Sequence, residues 1–538
     1  MAGQRVITDS QTPRISHAQA GFRGLSATAR LFAGLLALGL VAAGLYLVPE
    51  YATYGLVFLG LGTPLVLLLW RRPEFGLLTI ILLSSSFVPA DVADLRLEIG
   101  GGLDLRDITF LVMIGLLVFR RLVRKELSVP WWPVGGPLLL FLAIATFSTY
   151  NALFHEGVET NWALNDLRIL SYYGTFFLTI WSLEQPRQLK ALLIGLFIIA
   201  DLTVGVILVQ QFLGADNPLL EPMARGATWK VYEQSGAVRV IPAGIVLVHF
   251  LGIVALCLTV FGRNNTRLRL LSAVQFAYIS IGLLLTYTRS QWAASALALG
   301  LIFVVLWPRY KHRFVQFLFV GVSILALVVS LTNLFGTRLL SGIGETPLVA
   351  GVIERAVSVL TPDKTMETGS LEWRRFETEE ALRAIGEQPL TGVGLGNSYR
   401  NLTTLQGEAT GRYTRGSIAA GEVSRFTRYV HNSYLSIAVK MGLPALIVFL
   451  WFCAAFLRES WQLYQIMPDS ELRGIVLGTL AGFVGLLAWC VFHAYFIKVE
   501  STPTIGLTLG LIGSIAHLQR QGMRTGSDGP TRTENLSI

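Results

Sequence analysis

Three residues of this chain have side chains suited to chemistry on a charged substrate: Arg239, Arg289 and His431. Histidine titrates near neutral pH, so it can accept or release a proton during a reaction. The planar guanidinium group of arginine matches the paired oxygens of a diphosphate. These residues lie far apart in the sequence, so they can act together only if the fold brings them to one place.

Each of these residues also has an ordinary structural explanation. An arginine at a membrane surface can extend its charged end into water, and an interfacial histidine can simply be hydrogen-bonded. Arg289 stands out because it belongs to a polar run, Thr288–Gln291, between two apolar segments. His431 stands out because it begins an apolar segment directly after the longest polar stretch of the chain.

Composition indicates an integral membrane protein. The 538 residues are 53% hydrophobic and 14% charged, whereas soluble domains carry about 25% charged residues. We predict an all-α fold, because an open sheet would leave backbone groups unpaired in lipid. The net charge of +9 comes from basic residues in short loops, which indicates membrane topology rather than nucleic-acid binding. The cysteines lie within apolar runs and predict neither a disulfide framework nor a metal site.

Apolar runs long enough to span a bilayer number about fourteen. The third and fourth runs are short or interrupted. The predicted helices are 31–48, 51–70, 74–90, 107–119, 132–150, 165–182, 189–213, 239–261, 269–287, 292–308, 314–335, 433–456, 473–496 and 502–518.

Loop charge gives the orientation of these helices. Basic residues concentrate in alternate loops and acidic residues in the loops between them, so both termini are predicted to be cytoplasmic. The predicted organisation is a cytoplasmic tail (1–30), helices one to eleven (31–335), an outer loop domain (336–430), helices twelve to fourteen (431–518) and a disordered cytoplasmic tail (519–538). Arg239, which is predicted to open the eighth helix, then lies on the same outer face as Arg289 and His431.

The outer loop domain is far longer than a connection between packed helices requires. Within it, Ser370–Glu387 is predicted to be an amphipathic helix capped by Ser370. Gly407–Ser424 is polar and is predicted to be a mobile flap. The glycines of Gly392–Gly396 do not form the dinucleotide-binding pattern and follow a helix rather than a strand. We therefore expect a tight turn whose backbone approaches helix ends or substrate closely.

Two charged residues are predicted to lie inside helices, Asp201 and Lys440. Charge within a membrane is costly, so a structural Asp–Lys pair or a transport path would explain them. His249 and His493 are predicted to be structural, deep within helices. No Cys/His spacing or Asp-x-Asp pair suits a metal ion, so we predict a metal-independent site and no cofactor.

The order of these motifs resembles the O-antigen ligase and O-antigen polymerase superfamily of bacterial membrane glycosyltransferases, which have a GT-C-type helical fold. The resemblance covers roughly residues 236–445. It rests on Arg239–Pro242, Thr288–Ser290, the run Pro389–Asn397, and His431–Leu435, followed by Gly442.

The resemblance implies transfer of an undecaprenyl-diphosphate-linked glycan to a sugar hydroxyl on the periplasmic face of the bacterial inner membrane. Carried over to this chain, it makes Arg239 and Arg289 diphosphate-binding and His431 the residue that acts on the acceptor hydroxyl. We predict a metal-independent, inverting enzyme. The predicted substrate-binding residues are Arg374, Arg375, Asn432, Gly394 and Gly396.

Three functions follow from these observations. The high number of predicted helices favours a polymerase of O-antigen or exopolysaccharide repeat units, with a chain-length regulator protein as a possible partner. A ligase that transfers the glycan to lipid A–core is the alternative. A transporter or flippase of lipid-linked sugars is the third, although such proteins usually contain repeats and bind substrate near the midplane of the membrane, and no internal repeat is visible here.

Overall fold

The structure of the protein is a computed structural model that divides into two units, Met1–Pro73 and Glu74–Ile538. In the first unit the described residues include a helical stretch at 66–71. The functional residues all belong to the second unit. The residues that the structure describes are 64, 66–85, 103–124, 132–213, 228–231, 238–262, 265–312, 368–400 and 428–525. The predicted flap Gly407–Ser424, the tail 1–30, and the helices predicted at 31–48 and 314–335 lie outside them. Of the tail predicted to be disordered at 519–538, residues 526–538 also lie outside them, whereas 519–525 continue the helix Thr502–Thr525.

The described part of the chain is mostly helical, as predicted for a membrane protein. Its helices are α1 (Pro73–Leu83), α2 (Leu105–Arg124), α3 (Gly135–Phe154), α4 (Thr160–Ser171), α5 (Thr175–Ser182), α6 (Pro186–Leu213), α7 (Ile245–Phe261), α8 (Thr266–Leu284), α9 (Arg289–His312), α10 (Thr368–Glu387), α11 (Ser433–Ile466), α12 (Glu471–Trp489) and α13 (Thr502–Thr525).

Among the described residues, six helices are long and apolar enough to cross a membrane: α3, α6 (counted over Pro186–Gln211), α8, α9, α11 and α12. Helices α1 and α7 are apolar but shorter. Helix α7 is buried on all sides, because it packs against α6, α8 and α12. This central position explains why its sequence is apolar throughout rather than amphipathic.

One predicted detail of the fold is wrong. A short pair of strands, β1 (Thr228–Val231) and β2 (Val238–Ile241), accompanies the helices and pairs antiparallel, with Lys230 opposite Arg239. Arg239 therefore lies on a strand and does not open a helix. The residue before a proline disfavours helical backbone, so Pro242 keeps Ile241 extended. Helix α7 begins only after Gly244, whose φ of 93° is left-handed.

Two predicted helices are interrupted. The helix predicted at 165–182 is divided by a 3-10 turn at Tyr172–Gly174. Helix α11 breaks at Gly442, where φ is 80° and ψ is 171°, two residues before Pro444. Because a break leaves backbone groups without their helical partners, other parts of the chain must supply hydrogen bonds at this point.

The Pro389–Asn397 turn supplies those hydrogen bonds. Val393 N donates to Val439 O (2.8 Å), Gly394 N donates to Lys440 O (3.1 Å), and Leu443 N donates to Pro389 O (2.8 Å). A Cβ on Gly442 would lie 2.2 Å from Leu390 O. The close backbone approach predicted for this glycine-rich turn is therefore confirmed, and its partner is the broken helix α11.

Gly396→Ala is expected to destabilise the protein. Gly396 has a φ of 77°, and an added Cβ would lie 2.5 Å from Ala163 N. Strained backbone together with overpacking should cost at least about 2 kcal/mol. The thermal unfolding midpoint in detergent measures this loss. Gly386→Ala is the matched control, because nothing lies within 4 Å of a Cβ there. Equal midpoints for the two variants would contradict the expectation.

The buried charges do not form the predicted Asp201–Lys440 pair. Lys440 Nζ donates to Asn397 O (2.6 Å) and lies 3.6 Å from Asp166 Oδ2. Asp201 instead accepts from the side-chain amide of Gln275. Lys440 thus neutralises the Asp166 carboxylate at the break in α11, which is a structural role for both residues.

Candidate active site

The polar turn Thr288–Ser290 joins Arg239 to Arg289. Arg239 Nη2 lies 3.4 Å from Thr288 Oγ1, which in turn donates to Thr286 O (3.0 Å). Arg289 follows at the first position of α9. The fold therefore brings the first two residues of the predicted site together, although a strand rather than a helix presents Arg239.

The backbone just before this turn is strained. Tyr287 has a φ of 47° and is fully buried. A bulky residue rarely adopts positive φ, and such conformations cost of order 1–3 kcal/mol unless the surroundings impose them. Strain at this position points to a turn whose shape is needed to present Thr288 and Arg289.

His431 forms a close pair with a glutamate that the sequence analysis did not identify. His431 Nδ1 lies 3.0 Å from Glu377 Oε1 and 2.9 Å from Glu377 Oε2. The backbone N–H of His431 donates to the same carboxylate at 3.3 Å. A carboxylate only accepts hydrogen bonds, so Nδ1 carries a hydrogen and Nε2 of the neutral ring is left as the basic nitrogen.

The two side chains of this pair differ in solvent exposure. An exposed imidazole can reach a substrate, and a buried carboxylate can hold that imidazole in place. The His431 side chain is 48% exposed, whereas the Glu377 side chain is 2% exposed. Arg400 Nη2 lies 3.4 Å from Glu377 Oε1 and is itself buried. Arg400 also contacts the hydroxyl of Tyr399. The buried carboxylate thus has a cation behind it and presents both oxygens to the imidazole.

Helix α10, close to the range predicted for it, carries Glu377 and brings a third arginine to the site. Arg374 lies one helical turn before Glu377, so both share one face. Burial lowers the pKa of Arg374, and the charges of Arg239 and Arg289 lower it further, whereas Glu377 opposes them. Arg374 therefore lies within electrostatic range of both Arg239 and Arg289, and an anion bound beside it would relieve this repulsion.

Arg375 does not join this group. Its side chain is 83% exposed and pairs with Glu379 Oε1 at 3.0 Å, one turn along α10. The helix begins at Thr368, so Ser370 lies within it and is not its cap. Ala384 and Ile385 are buried, as the amphipathic pattern predicts.

The other predicted binding residues lie where they support the fold. Asn432 caps α11, its side-chain oxygen accepting from Tyr434 N (2.9 Å) and Leu435 N (3.1 Å). Gly396 N donates to Asp166 Oδ2 at 2.9 Å, and a Cβ on Gly394 would lie 2.8 Å from Ala152 Cβ. These contacts give both glycines a positioning role for the loop.

His493 also lies at the site, and not deep within a helix as predicted. Helix α12 ends at Trp489. In the turn that follows, Ser433 N and Ser433 Oγ donate to the carbonyls of Cys490 (2.9 Å) and His493 (2.7 Å). The turn after α12 is thereby fastened to the start of α11. His493 Nε2 lies 3.0 Å from Ser290 Oγ, beside Arg289.

One signal for Glu377 was present in the sequence. It lies three residues after Arg374, on the apolar side of a predicted amphipathic helix, and a carboxylate there needs a partner. His493 gave no comparable signal, because its contact with Ser290 depends on where α12 ends. Within the described residues no group of three or more His, Cys, Asp or Glu side chains is placed to hold a metal ion. Metal independence stays a prediction.

Comparison with known proteins supports the resemblance seen in the motifs. Residues 274–450 match the family model described as O-antigen ligase. A search of curated proteins found no match to the chain. The matched segment contains Arg289, Arg374, Glu377 and His431, while Arg239 and His493 lie outside it. The match therefore confirms the resemblance to the O-antigen ligase and polymerase superfamily and supports a multi-pass membrane protein of ligase or polymerase type.

Proposed function

We propose that the protein is a membrane glycosyltransferase that moves an undecaprenyl-diphosphate-linked glycan to a sugar hydroxyl on the periplasmic face. The observation that carries this proposal is the grouping of a carboxylate-held histidine with three arginines at one site. A proton acceptor beside an anion-binding group is what transfer from a diphosphate leaving group requires.

In the proposed reaction, the acceptor hydroxyl attacks the anomeric carbon of the donor glycan. Its proton passes to Nε2 of His431, and the bond between that carbon and the phosphate oxygen breaks. Since the hydroxyl enters opposite the leaving group in a single displacement, the anomeric configuration inverts. Glu377 holds the imidazole through Nδ1 and stabilises the positive charge that the ring acquires.

The arginines act on the leaving group. The lipid diphosphate gains negative charge as the sugar–oxygen bond breaks, so Arg239, Arg289 and Arg374 stabilise the transition state more than the bound donor. Three cations near the departing oxygens supply the stabilisation that a divalent ion would otherwise give. The metal-independent mechanism rests on this charge. The N-terminus of α9, which begins at Arg289, adds a favourable dipole for an anion.

Glu377→Gln is expected to lower kcat by about tenfold to a hundredfold. The change replaces a charge-assisted hydrogen bond, worth about 1.5–3 kcal/mol, with an amide that can present a hydrogen to the ring. Initial rates with a defined lipid-linked donor measure the effect. Glu379→Gln is the matched control on the exposed face of α10, where the carboxylate is 58% exposed. Equal rates for the two variants would remove Glu377 from the mechanism.

We favour polymerisation of O-antigen or exopolysaccharide repeat units over ligation to lipid A–core, because the sequence predicts about fourteen helices. A GT-C-like arrangement, inner-membrane location and cytoplasmic termini belong to the same proposal. The test uses purified protein in detergent with a defined undecaprenyl-diphosphate oligosaccharide, with and without lipid A–core. A product ladder from donor alone indicates a polymerase. A single shifted band that requires lipid A–core indicates a ligase, and intact donor in both reactions would favour the transporter.

A further inference from the structure

The hydroxyls on either side of Arg289 are both held by residues from distant parts of the chain. Thr288 Oγ1 contacts Arg239 at 3.4 Å, and Ser290 Oγ contacts His493 Nε2 at 3.0 Å. The second contact joins residues 203 positions apart. Together the two contacts hold the turn Thr288–Ser290 in place. One side of the turn contacts Arg239 on β2, and the other contacts His493 in the segment that follows α12.

The imidazole of His493 is held in a defined orientation. Its ring stacks on Tyr495, with centroids 5.3 Å apart and an interplanar angle of 26°. The ring of Trp489 meets it nearly edge-on at 6.0 Å. The backbone carbonyl of His493 accepts from Ser433 Oγ at 2.7 Å. The side chain therefore has little freedom to turn away from Ser290.

Burial and the charges around His493 both disfavour the protonated form of its imidazole. Burial lowers its pKa well below the ordinary value, and the neighbouring positive groups lower it further. The permanent cations among those groups are Lys498 from the following turn, Arg374 from α10 and Arg239 from β2. The acidic groups nearby are engaged: Glu377 with His431 (2.9 Å) and Glu500 with Lys498 (3.9 Å).

We propose that His493 and Ser290 form a hydrogen-bond relay that supplies a directed donor to a phosphate oxygen of the bound diphosphate, beside the three arginines. His493 Nε2–H donates to Ser290 Oγ, and the Ser290 hydroxyl donates its own hydrogen to the anion. This inference rests on the proposed function and adds two residues to it. His493 acts through Ser290 and is a positioning residue.

The relay contributes a directed hydrogen bond, which the arginines do not supply. A guanidinium group on a long side chain supplies charge, but charge alone does not fix the orientation of a diphosphate. A short hydroxyl on a rigid turn supplies direction, and donating to that hydroxyl polarises it further. The neutral state of His493 matters because another full charge would add repulsion to a site that already contains three arginines.

Binding of inorganic pyrophosphate to the purified full-length protein, measured by titration calorimetry, tests the relay. His493→Phe keeps the ring on Tyr495 but removes the donor, and Ser290→Ala removes the hydroxyl. Each should weaken binding by about tenfold, the effect of losing one hydrogen bond to a charged group. His493→Gln should bind nearly as the natural protein does, because its side-chain amide can replace the Nε2–H donor. The Ser290→Ala, His493→Phe double variant should bind no more weakly than either single variant.

Unchanged binding in Ser290→Ala and His493→Phe would overturn the relay while leaving the anion site intact. Additive losses in the double variant would also overturn it, because independent structural effects add. If His493→Phe fails to fold, unchanged binding in Ser290→Ala still overturns the relay. Absence of pyrophosphate binding in both the natural protein and Arg289→Ala would reject the proposed anion site, and the relay with it.

Discussion

Replacing His431 with alanine is expected to lower the rate of glycan transfer by about a thousandfold, since general base catalysis contributes about 10²–10⁴-fold. The loss should appear in kcat, because His431 acts on the acceptor hydroxyl during the reaction and does not anchor the donor diphosphate. Initial rates under saturating donor measure it. The side chain is half-exposed and its removal leaves no cavity in the core, so the protein should remain folded.

His155→Ala is the matched control for this experiment. His155 is an exposed histidine just after α3, away from the arginine group in sequence and in contacts. Its removal should leave transfer unchanged. Full activity of His431→Ala at normal membrane levels would exclude His431 as the base, whereas loss of activity in both variants would indicate a general defect.

Arg289→Ala is expected to reduce kcat/KM by about a hundredfold to a thousandfold. Removing one preorganised group that stabilises transition-state charge has an effect of this size. Arg289→Lys should recover only part of the rate, because an ammonium group keeps the charge but loses the planar pair of donors. The measurement compares steady-state kinetics with a defined lipid-diphosphate donor across the variants.

Arg375→Ala tests whether these losses are specific to the site. Arg375 is an arginine of the same loop helix as Arg374, but it lies on the exposed face and pairs with Glu379. The variant should retain nearly full activity, since exposed ion pairs contribute about 0–1 kcal/mol. If Arg289→Ala is as active as Arg375→Ala, the diphosphate does not bind at the proposed arginine group.

The grouping of Arg239, Arg289 and His431 could be predicted because membrane topology restricts where a residue can lie. Alternating loop charge predicted one side of the membrane for Arg239, Arg289 and His431, and the structure joins them through Thr288, Arg374 and Glu377. The type of each side chain then limited the chemistry. This part of the site depended on local composition, which a single sequence contains.

The residues that hold the site in place were harder to predict, because they act through contacts between distant parts of the chain. Glu377 meets His431 across 54 positions, and the two carboxylate distances depend on how α10 packs on α11. The β2 strand at Arg239 was missed because an apolar run beside a proline looks like the start of a helix. The partner of Lys440 was also missed because the contact is long-range. Asp166 lies on α4, far from Lys440 in the sequence.

For the glycine-rich turn Pro389–Asn397, the sequence predicts the tight turn but not the part of the chain that it contacts. Its glycines indicated a tight turn with close backbone approach, and this was confirmed at Gly442 and Gly396. The identity of the neighbouring backbone could not be read from the sequence, because the break in α11 that receives the turn is itself a tertiary feature. The turn Pro389–Asn397 follows α10, which carries Glu377, and its hydrogen bonds hold it against α11, which follows His431.

One site, built from His431, Glu377 and the arginines, is proposed to transfer a glycan from a lipid diphosphate. The most direct measurement follows a labelled undecaprenyl-diphosphate oligosaccharide with purified protein and quantifies released lipid diphosphate and newly linked glycan in the same reaction. We predict equal amounts of the two products from the natural protein and almost none from His431→Ala or Arg289→Ala. Equal product formation by those variants, or donor recovered intact from a folded natural protein, would contradict the account.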